Sequence, residues 1–218
     1  MIHVADGEIV KHFALRYHRA MGRTARPAKP KVGTERRVAE LALQLGRAAY
    51  GESSAASLTP AQWMALRFFA RANRFSRTVS AFADYHATTR GTASQTVKSL
   101  VARGFLTRTR SARDGRSTTF DLTEKSRRQM DDDPFEAVVR AAESLPARER
   151  SRTESALRGM LQKLAVARDK PAPGSCGLCG HLARSGAQGF RCRLLDEALA
   201  AREVDQLCVH CTCTAAHR

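Results

Sequence analysis

The sequence "ASQTVKSLVARGFLTRTRSARDGRSTTFDLTEKS", residues 93–126, carries the local patterns that most strongly indicate the fold. In its first part, apolar residues recur at helical spacing: Ala93, Val97, Leu100 and Val101. Gly104 follows as a typical C-terminal helix cap. Alternating, Thr-rich segments then stand at 105–110 and 117–122, on either side of a charged tip with the turn signal Asp-Gly. The stretch therefore predicts a helix followed by a β-hairpin.

Two further helices are predicted upstream. Thr59 followed by Pro60 is a good helix start, because the hydroxyl can cap free backbone amides and proline suits the first helical position. Apolar residues follow at helical spacing: Trp63, Leu66, Phe69 and Ala70. A second helix covers about 78–86, and the helix that Gly104 ends covers about 89–103. Three short helices joined by tight turns predict a helix-turn-helix unit, whose third helix can enter a DNA major groove.

Helical patterns also flank this unit. An amphipathic helix is predicted from Thr34 to about Tyr50, and a helical region from Thr123 is divided by Pro134 and Pro146. Its last helix runs from about Ala147 to Arg168. The first and last helices carry apolar stripes: Val38, Leu41, Ala42 and Leu45, and Leu157, Met160, Leu161 and Leu164. The predicted fold class is mainly α with a small β-hairpin wing, a winged helix-turn-helix.

The span from about Thr34 to Arg168 resembles a MarR-type winged-helix transcription regulator. Residues 93–126 are similar to that family's recognition helix, its "L-x-x-x-G-hydrophobic-hydrophobic" exit, its "D-x-R" wing tip and its "LT" entry to the next helix. Gly115 stands where the family commonly has Arg. The segment "SLPARERSRTESALRGMLQKL" resembles the C-terminal dimerisation helix. The resemblance implies a homodimer, formed by the first and last helices, whose two recognition helices meet successive major grooves of a pseudo-palindromic operator.

The charge balance agrees with a nucleic-acid partner. The chain has 37 Lys and Arg against 21 Asp and Glu, a net charge of +16. Residues 171–218 hold five arginines and four acids, so the remaining +15 lies in residues 1–170. That region can attract a polyanion such as double-stranded DNA and release its counterions. Residues 1–33 form a predicted basic N-terminal arm.

Several side chains are predicted to contact DNA. Because Ala93, Val97 and Leu100 point inward, four residues remain on the outward arc of the recognition helix: Thr92, Gln95, Lys98 and Ser99. Gln95 is the best base reader, since its amide offers a donor and an acceptor to adenine, and Arg90 and Lys98 are predicted phosphate contacts.

The hairpin adds a second set of DNA contacts. Arg113 and Arg116 flank Asp114, a carboxylate that can orient one guanidinium while the other enters a narrow minor groove. The family resemblance implies that Arg116 is the inserted residue. Arg108 and Arg110 add positive field beside the DNA backbone.

The cysteines are confined to the tail. A predicted linker, residues 169–175, leads into a cysteine-rich module, residues 176–218, with the pattern Cys176-x2-Cys179-x12-Cys192-x15-Cys208-x2-Cys211-x-Cys213. Cytosolic thiols are normally reduced, so this clustering favours metal binding over structural disulfides. Haem attachment needs Cys-x-x-Cys-His, whereas Gly180 and Thr212 follow the two pairs.

Two metal sites fit the pattern. A zinc ribbon would use the two Cys-x-x-Cys pairs: Cys176, Cys179, Cys208 and Cys211. A [4Fe-4S] cluster would use Cys176, Cys179, Cys192 and Cys208, and the pattern resembles small high-potential-type modules. We expect the cluster, because it explains Cys192. Further candidate ligands are Cys211, Cys213, His181 and His210. A third possibility, a Cys208–Cys211 disulfide switch, needs a low-pKa thiolate, of which the sequence shows none.

These features together predict a dimeric, sequence-specific DNA-binding regulator. Its C-terminal cluster would sense oxygen, nitric oxide, redox state or iron, and would act on the recognition helices through the last helix. The alternative is a repressor with a structural zinc site that responds to a small aromatic ligand, in a pocket lined by four aromatic residues: Trp63, Phe68, Phe69 and Phe82.

Other functional classes find little support in the sequence. The obvious catalytic candidates, His86 and the acids 131–133, have no convergent partner in sequence, and no common catalytic motif is present, so an enzyme is not expected. No apolar run approaches the roughly 18 residues of a membrane helix, and the N-terminus has charges where a signal peptide has an apolar run, so we expect a cytoplasmic protein.

Overall fold

The computed structural model describes residues 33–50, 58–110, 118–168, 174–185 and 189–211. The chain divides into two units, residues 1–44 and 45–218, with the boundary inside the first helix. This helix, α1, spans Thr34–Ala48 and has exposed apolar side chains, among them Leu41 and Leu45. All elements after α1 belong to the second unit.

Three helices form the predicted helix-turn-helix, and the expectation for this region is confirmed. Helix α2 spans Pro60–Arg71, α3 spans Val79–Tyr85 and α4 spans Arg90–Ala102. Each begins after a threonine whose hydroxyl accepts a backbone N–H: Thr59, Thr78 and Thr89. After α4, Gly104 adopts a positive φ of 72°, a conformation that costs glycine nothing and reverses the chain into the wing.

The wing is the predicted antiparallel hairpin. Strand β1, Leu106–Arg110, pairs with β2, Thr118–Leu122, so that Leu106 lies opposite Leu122 and Arg108 opposite Phe120. Leu106 and Phe120 face the core, whereas the other β1 residues are exposed. The tip, residues 111–117, lies outside the described residues.

Aromatic side chains fill the core of the winged helix. The ring of Phe68 lies 5.2 Å from that of Phe69 and 5.6 Å from that of Phe82, and Phe69 contacts Phe120 of the wing. Trp63 and these phenylalanines are almost completely buried. The four aromatic residues considered as a ligand pocket therefore pack as core.

Three helices follow the wing. Helix α5 spans Glu124–Met130, α6 spans Phe135–Glu143 and α7 spans Ala147–Ala167. The Asp133 carboxylate anchors the start of α6, because it accepts hydrogen bonds from the Arg67 guanidinium and from the Phe135 N–H. No residue of α7 is buried, and three of its leucines are exposed: Leu157, Leu161 and Leu164.

The cysteine-rich segment is built from short strands. Strand β3, Gly174–Ser175, takes the last two residues of the predicted linker and pairs with β7, Leu207–Cys208. Between them, β4 (Leu182–Ser185), β5 (Gly189–Cys192) and β6 (Glu197–Leu199) form an antiparallel sheet in sequence order. Within the described part of the chain, no helix is long and apolar enough to cross a membrane.

Strand β7 belongs to two cores at once. Leu207 is part of the winged-helix core, and the partly buried Val209 packs against it. Cys208, between them, lies in a second cluster with Cys176, Leu199 and Cys211. Successive side chains of a strand point to opposite faces, so one short strand completes both clusters.

A substitution at Leu207 tests this shared packing. We expect Leu207→Ala to lower the free energy of unfolding by about 2–5 kcal/mol, because it leaves a cavity in the core. Trp63, the single tryptophan, is buried in the winged-helix core and reports its unfolding in urea by fluorescence. The control Leu194→Ala, at a half-exposed leucine of the same segment, should change stability by less than about 0.5 kcal/mol. A Trp63 transition that Leu207→Ala leaves unmoved would contradict the shared core.

Candidate nucleic-acid interface and metal centre

Helix α4 presents most of the predicted DNA-contacting side chains on one exposed face. Arg90, Thr92, Gln95 and Lys98 are exposed, whereas Ala93, Val97 and Leu100 are buried, as the periodicity predicts. The Thr92 hydroxyl lies 2.9 Å from that of Thr89, the capping residue, and so also takes part in the helix start. Gln95 and Lys98 remain the side chains on this face best suited to a base edge and to a phosphate.

Ser99 lies on the same stripe of α4, four residues after Gln95 and near the C-terminal end of the helix. Its side chain is half-buried, and its hydroxyl accepts a hydrogen bond of 3.0 Å from the Gln62 amide of α2. The structure thus holds the Ser99 hydroxyl against the supporting helix, because α2 covers this end of the stripe.

Gln62 is not among the residues predicted from the sequence to serve the site. Its side-chain oxygen accepts from the Thr59 N–H at 3.0 Å and from the Arg103 guanidinium at 2.9 Å, while its amide nitrogen donates to Ser99. It therefore ties the start of α2 to the end of the recognition helix. The signal was present, since a Gln three residues after a capping Thr is a capping box.

The wing extends the basic surface. Arg108 and Arg110 are exposed on β1, and the Arg108 guanidinium lies 3.4 Å from the Thr118 hydroxyl across the hairpin. A cavity of about 620 Å³ lies between α3, α4 and the hairpin, and Lys98, Arg108 and Phe120 are among its lining residues. The predicted tip residues Arg113, Asp114 and Arg116 lie outside the described residues.

Five cysteines converge in the second cluster. Cys176, Cys208 and Cys211 are buried, and the partly buried Cys179 and Cys192 pack against them. Both Cys-x-x-Cys segments form tight turns: the Cys179 N–H donates to the Cys176 carbonyl and the Cys211 N–H donates to the Cys208 carbonyl. Because β3 pairs with β7, these two turns begin side by side.

The thiols of Cys176 and Cys208 act on each other. The pKa of Cys208 falls to about 5, chiefly because the Cys176 thiol donates a hydrogen bond to it, with a smaller effect from the Asn73 amide. The pKa of Cys176 rises, because its proton is held by Cys208 and because it is buried. Of the two thiols, Cys208 is therefore the more acidic.

This donor set suits metals that prefer sulfur, because thiolates are the usual ligands of zinc and of iron-sulfur clusters. His181 is half-buried, with its carbonyl bonded by the Arg193 N–H, and His210 is exposed. Cys213 lies outside the described residues. Among the side chains that the structure describes, no three Cys, His, Asp or Glu groups are arranged as ligands of one ion, so metal binding requires thiols of the cluster to reorient.

His86 and Asp133, which the sequence offered as catalytic candidates, both have structural roles. His86 packs against the rings of Phe68, Phe82 and Tyr85, and burial lowers its pKa to about 4. Asp133 binds Arg67 and begins α6. Both side chains therefore serve the packing of the winged helix.

The cysteine-rich segment docks on the connection between α2 and α3, residues 72–77, which we term the junction segment. The Asn73 N–H donates to the Leu207 carbonyl at 2.9 Å, and the Ser76 hydroxyl accepts from the Val209 N–H at 3.1 Å. The Arg74 guanidinium binds the buried Glu203 carboxylate at 2.9 Å. Asn73, Arg74 and Ser76 carried no signal in the sequence, because their partners in the cysteine-rich segment lie more than 100 residues away.

Comparison with known proteins finds similarity to one family of winged-helix proteins. Residues 56–117 match the model of the MarR family, whose members are transcription regulators and generally not enzymes. The fold is similar to that of Staphylococcus aureus MepR in a complex with DNA, with a TM-score of 0.52 and 16% identity over 62% of this chain and 99% of MepR. A MarR family protein from Bacillus stearothermophilus matches with a TM-score of 0.44 and 22% identity, over 62% of this chain and 99% of that one. No curated protein is significantly similar in sequence. Residues 56–117 are thus similar to the MarR family in sequence, and the described winged helix is similar to MepR in fold.

Gln95 and Ser99 offer a matched pair of substitutions on the recognition helix. We expect Gln95→Ala to lose about 1–3 kcal/mol of discrimination at one base pair, with little effect on stability. Ser99→Ala should instead lower the free energy of unfolding by about 1 kcal/mol, through loss of the Gln62 bond, and leave base preference unchanged. Selection of binding sites from a random DNA library, with urea denaturation of both variants, measures the two effects. Equal loss of base preference in both variants would contradict the assignment of Ser99 to packing.

Proposed function

We propose that this chain is a dimeric, sequence-specific DNA-binding transcription regulator whose operator affinity is modulated by an iron-sulfur cluster on its C-terminal cysteines. The MarR-type winged helix supports the DNA-binding half of the proposal. The similar S. aureus protein MepR is known in a complex with DNA. The convergence of five cysteines in one cluster supports the cofactor half.

Exposed basic and amide groups on neighbouring elements support recognition of DNA. The α4 face offers Gln95 to base edges in a major groove, while Arg90 and Lys98 offer cations to phosphates. Arg108 and Arg110 extend the positive surface along β1. The +15 charge of residues 1–170 adds long-range attraction that falls as salt rises.

Exposed apolar stripes support the homodimer. Leu161 of α7 is 63% exposed, Leu164 is 48% exposed, and Leu41 of α1 is 59% exposed. Soluble proteins rarely leave such stripes in water, and covering them with a second copy removes apolar surface from solvent. A dimer places two recognition helices on one operator.

The position of Cys192 is the observation that carries the iron-sulfur proposal. A zinc ribbon leaves Cys192 without a role, yet its side chain packs against the cluster that contains Cys176 and Cys208. Cys176, Cys179, Cys192 and Cys208 would hold the cluster. A bound [4Fe-4S] cluster supplies a redox-active centre that oxidants can dismantle, which suits a sensor.

Structural zinc is the second candidate for the same cysteines. The two Cys-x-x-Cys turns begin side by side on paired strands, and Cys211 is only 1% exposed. Cys176, Cys179, Cys208 and Cys211 would then provide the four sulfur ligands of a tetrahedral ion. In this case the cavity of about 620 Å³ beside α4 offers a site for a small aromatic effector, since Val97 and Phe120 line it.

Metal and sulfide analysis of protein purified without oxygen tests the cofactor. We expect about four iron and four acid-labile sulfide ions per chain, with visible absorption that oxygen bleaches. Cys192→Ser should abolish this cofactor, and Cys211→Ser should retain it. The variants are matched, because each removes one sulfur from the cluster.

The opposite result identifies zinc. Protein without iron, sulfide and visible absorption would overturn the iron-sulfur proposal. One zinc ion per chain, lost in Cys211→Ser and kept in Cys192→Ser, would establish the zinc site in its place.

A further inference from the structure

We propose that Asn73 couples the cysteine centre to DNA binding, and that the junction segment carries the signal to the wing. This inference rests on the proposed function and names the residues that connect its two halves. It assigns a regulatory role to a side chain in the winged helix instead of to the last helix.

Asn73 forms a hydrogen bond from the winged helix to a cysteine sulfur, next to Phe75, whose ring packs against the same cysteine cluster. It is completely buried, and its amide nitrogen donates to the Cys176 sulfur at 3.5 Å. The side-chain oxygen accepts from the Phe75 N–H at 3.2 Å, and this bond fixes which end of the amide faces the sulfur. Asn73 therefore contacts the cysteine centre through its donor and the junction segment through its acceptor.

The bond from Asn73 depends on the charge of the sulfur. An anionic sulfur accepts a hydrogen bond more strongly than a neutral one, and donors around metal-bound thiolates tune the centre that they contact. Loss of the cofactor, or a change in its oxidation state, changes the charge on these sulfurs. The strength of the hydrogen bond from the Asn73 amide to the sulfur changes with that charge.

The other side of the junction segment holds the wing. The Phe120 N–H of β2 donates to the Arg77 carbonyl at 2.9 Å, and the Arg77 guanidinium binds the Asp121 carboxylate at 2.5 Å. The same guanidinium donates to the Ala72 carbonyl at 3.0 Å, next to Asn73. Residues 72–77 thus connect the Cys176 sulfur to β2, the wing strand in which Phe120 lies opposite Arg108.

The last helix offers a weaker connection to the cysteines. A cleft of about 280 Å³ has Leu157 and Leu161 of α7 on one side and Gly174, Ser175 and Leu207 on another. No α7 residue is buried. The junction segment, by contrast, contributes the fully buried Asn73 and Ser76 to its contacts with β7.

The test compares operator binding by the loaded and the stripped full-length protein. Fluorescence anisotropy with a selected DNA operator gives two dissociation constants, and their ratio measures the coupling. Wild-type ratios of about 5–150-fold are typical of coupled sites. We expect Asn73→Asp to bring the ratio within about twofold of unity and to shift the visible spectrum and midpoint potential of the bound cofactor. If the metal is zinc, its release to a chromophoric chelator should accelerate.

Asn73→Asp is a close test of the amide donor. The aspartate keeps an acceptor for the Phe75 N–H but replaces the sulfur donor with a carboxylate oxygen. Ser76→Ala is the matched control, because Ser76 is equally buried and bonds the N–H of Val209, the residue directly after β7. It should keep the wild-type ratio and cofactor properties. Asp121→Asn tests the wing end: it should keep the cofactor properties and lower the ratio.

Three results would overturn the inference. One is a wild-type ratio in a folded, loaded Asn73→Asp protein, and another is a Ser76→Ala variant that behaves like Asn73→Asp. If Asn73→Asp does not fold, a wild-type ratio in Asp121→Asn overturns it. A ratio of one in the wild type itself, with the cofactor loaded, would refute the sensing function and the inference together, so the two failures are distinguishable.

Discussion

The two residues of β7 point to opposite faces of the strand, and this alternation joins the winged helix to the cysteine-rich segment. Leu207 points into the aromatic core of the winged helix, and Cys208 points into the cysteine cluster. Val209, in the turn after the strand, packs against the aromatic core. The cysteine-rich segment therefore completes the winged-helix core. A rearrangement of the sulfurs takes place next to this core, because Cys208 and Leu207 are consecutive residues of the chain.

The junction segment connects β7 to the wing. Its backbone and side chains bond β7 on one side and β2 of the wing on the other, and it leads directly into α3 through the capping residue Thr78. The salt bridge from Arg74 to the buried Glu203 adds a charged contact, and removing one partner would leave the other charge without compensation. Through these contacts, the wing, which carries Arg108 and Arg110, is the part of the proposed DNA interface that is bonded to the junction segment.

Local signals explain how much the sequence could predict. The capping threonines, Gly104 and the apolar period of α4 fix their elements within a few residues of the chain, so the helices and the hairpin were predictable. The outward set on α4 was predictable except at Ser99, because its environment depends on Gln62, 37 residues away. The docking of the cysteine-rich segment was not predictable, since the linker composition suggested a separate module and Leu207 has no local pattern that indicates a core. The pairing of Cys176 with Cys208 likewise depends on β3 and β7, whose two-residue strands are too short to give a periodic signal.

Hydrogen-deuterium exchange with and without the proposed cofactor shows whether the winged helix responds to the state of the cysteine centre. Peptides that cover the junction segment and β2 should lose protection together when the cofactor is removed, because the Asn73, Phe120 and Val209 amides belong to one bonded set. Peptides from α5 serve as the internal control and should keep their protection. Loss of protection in the cysteine-rich segment alone, with the junction segment and β2 unchanged, would contradict the account.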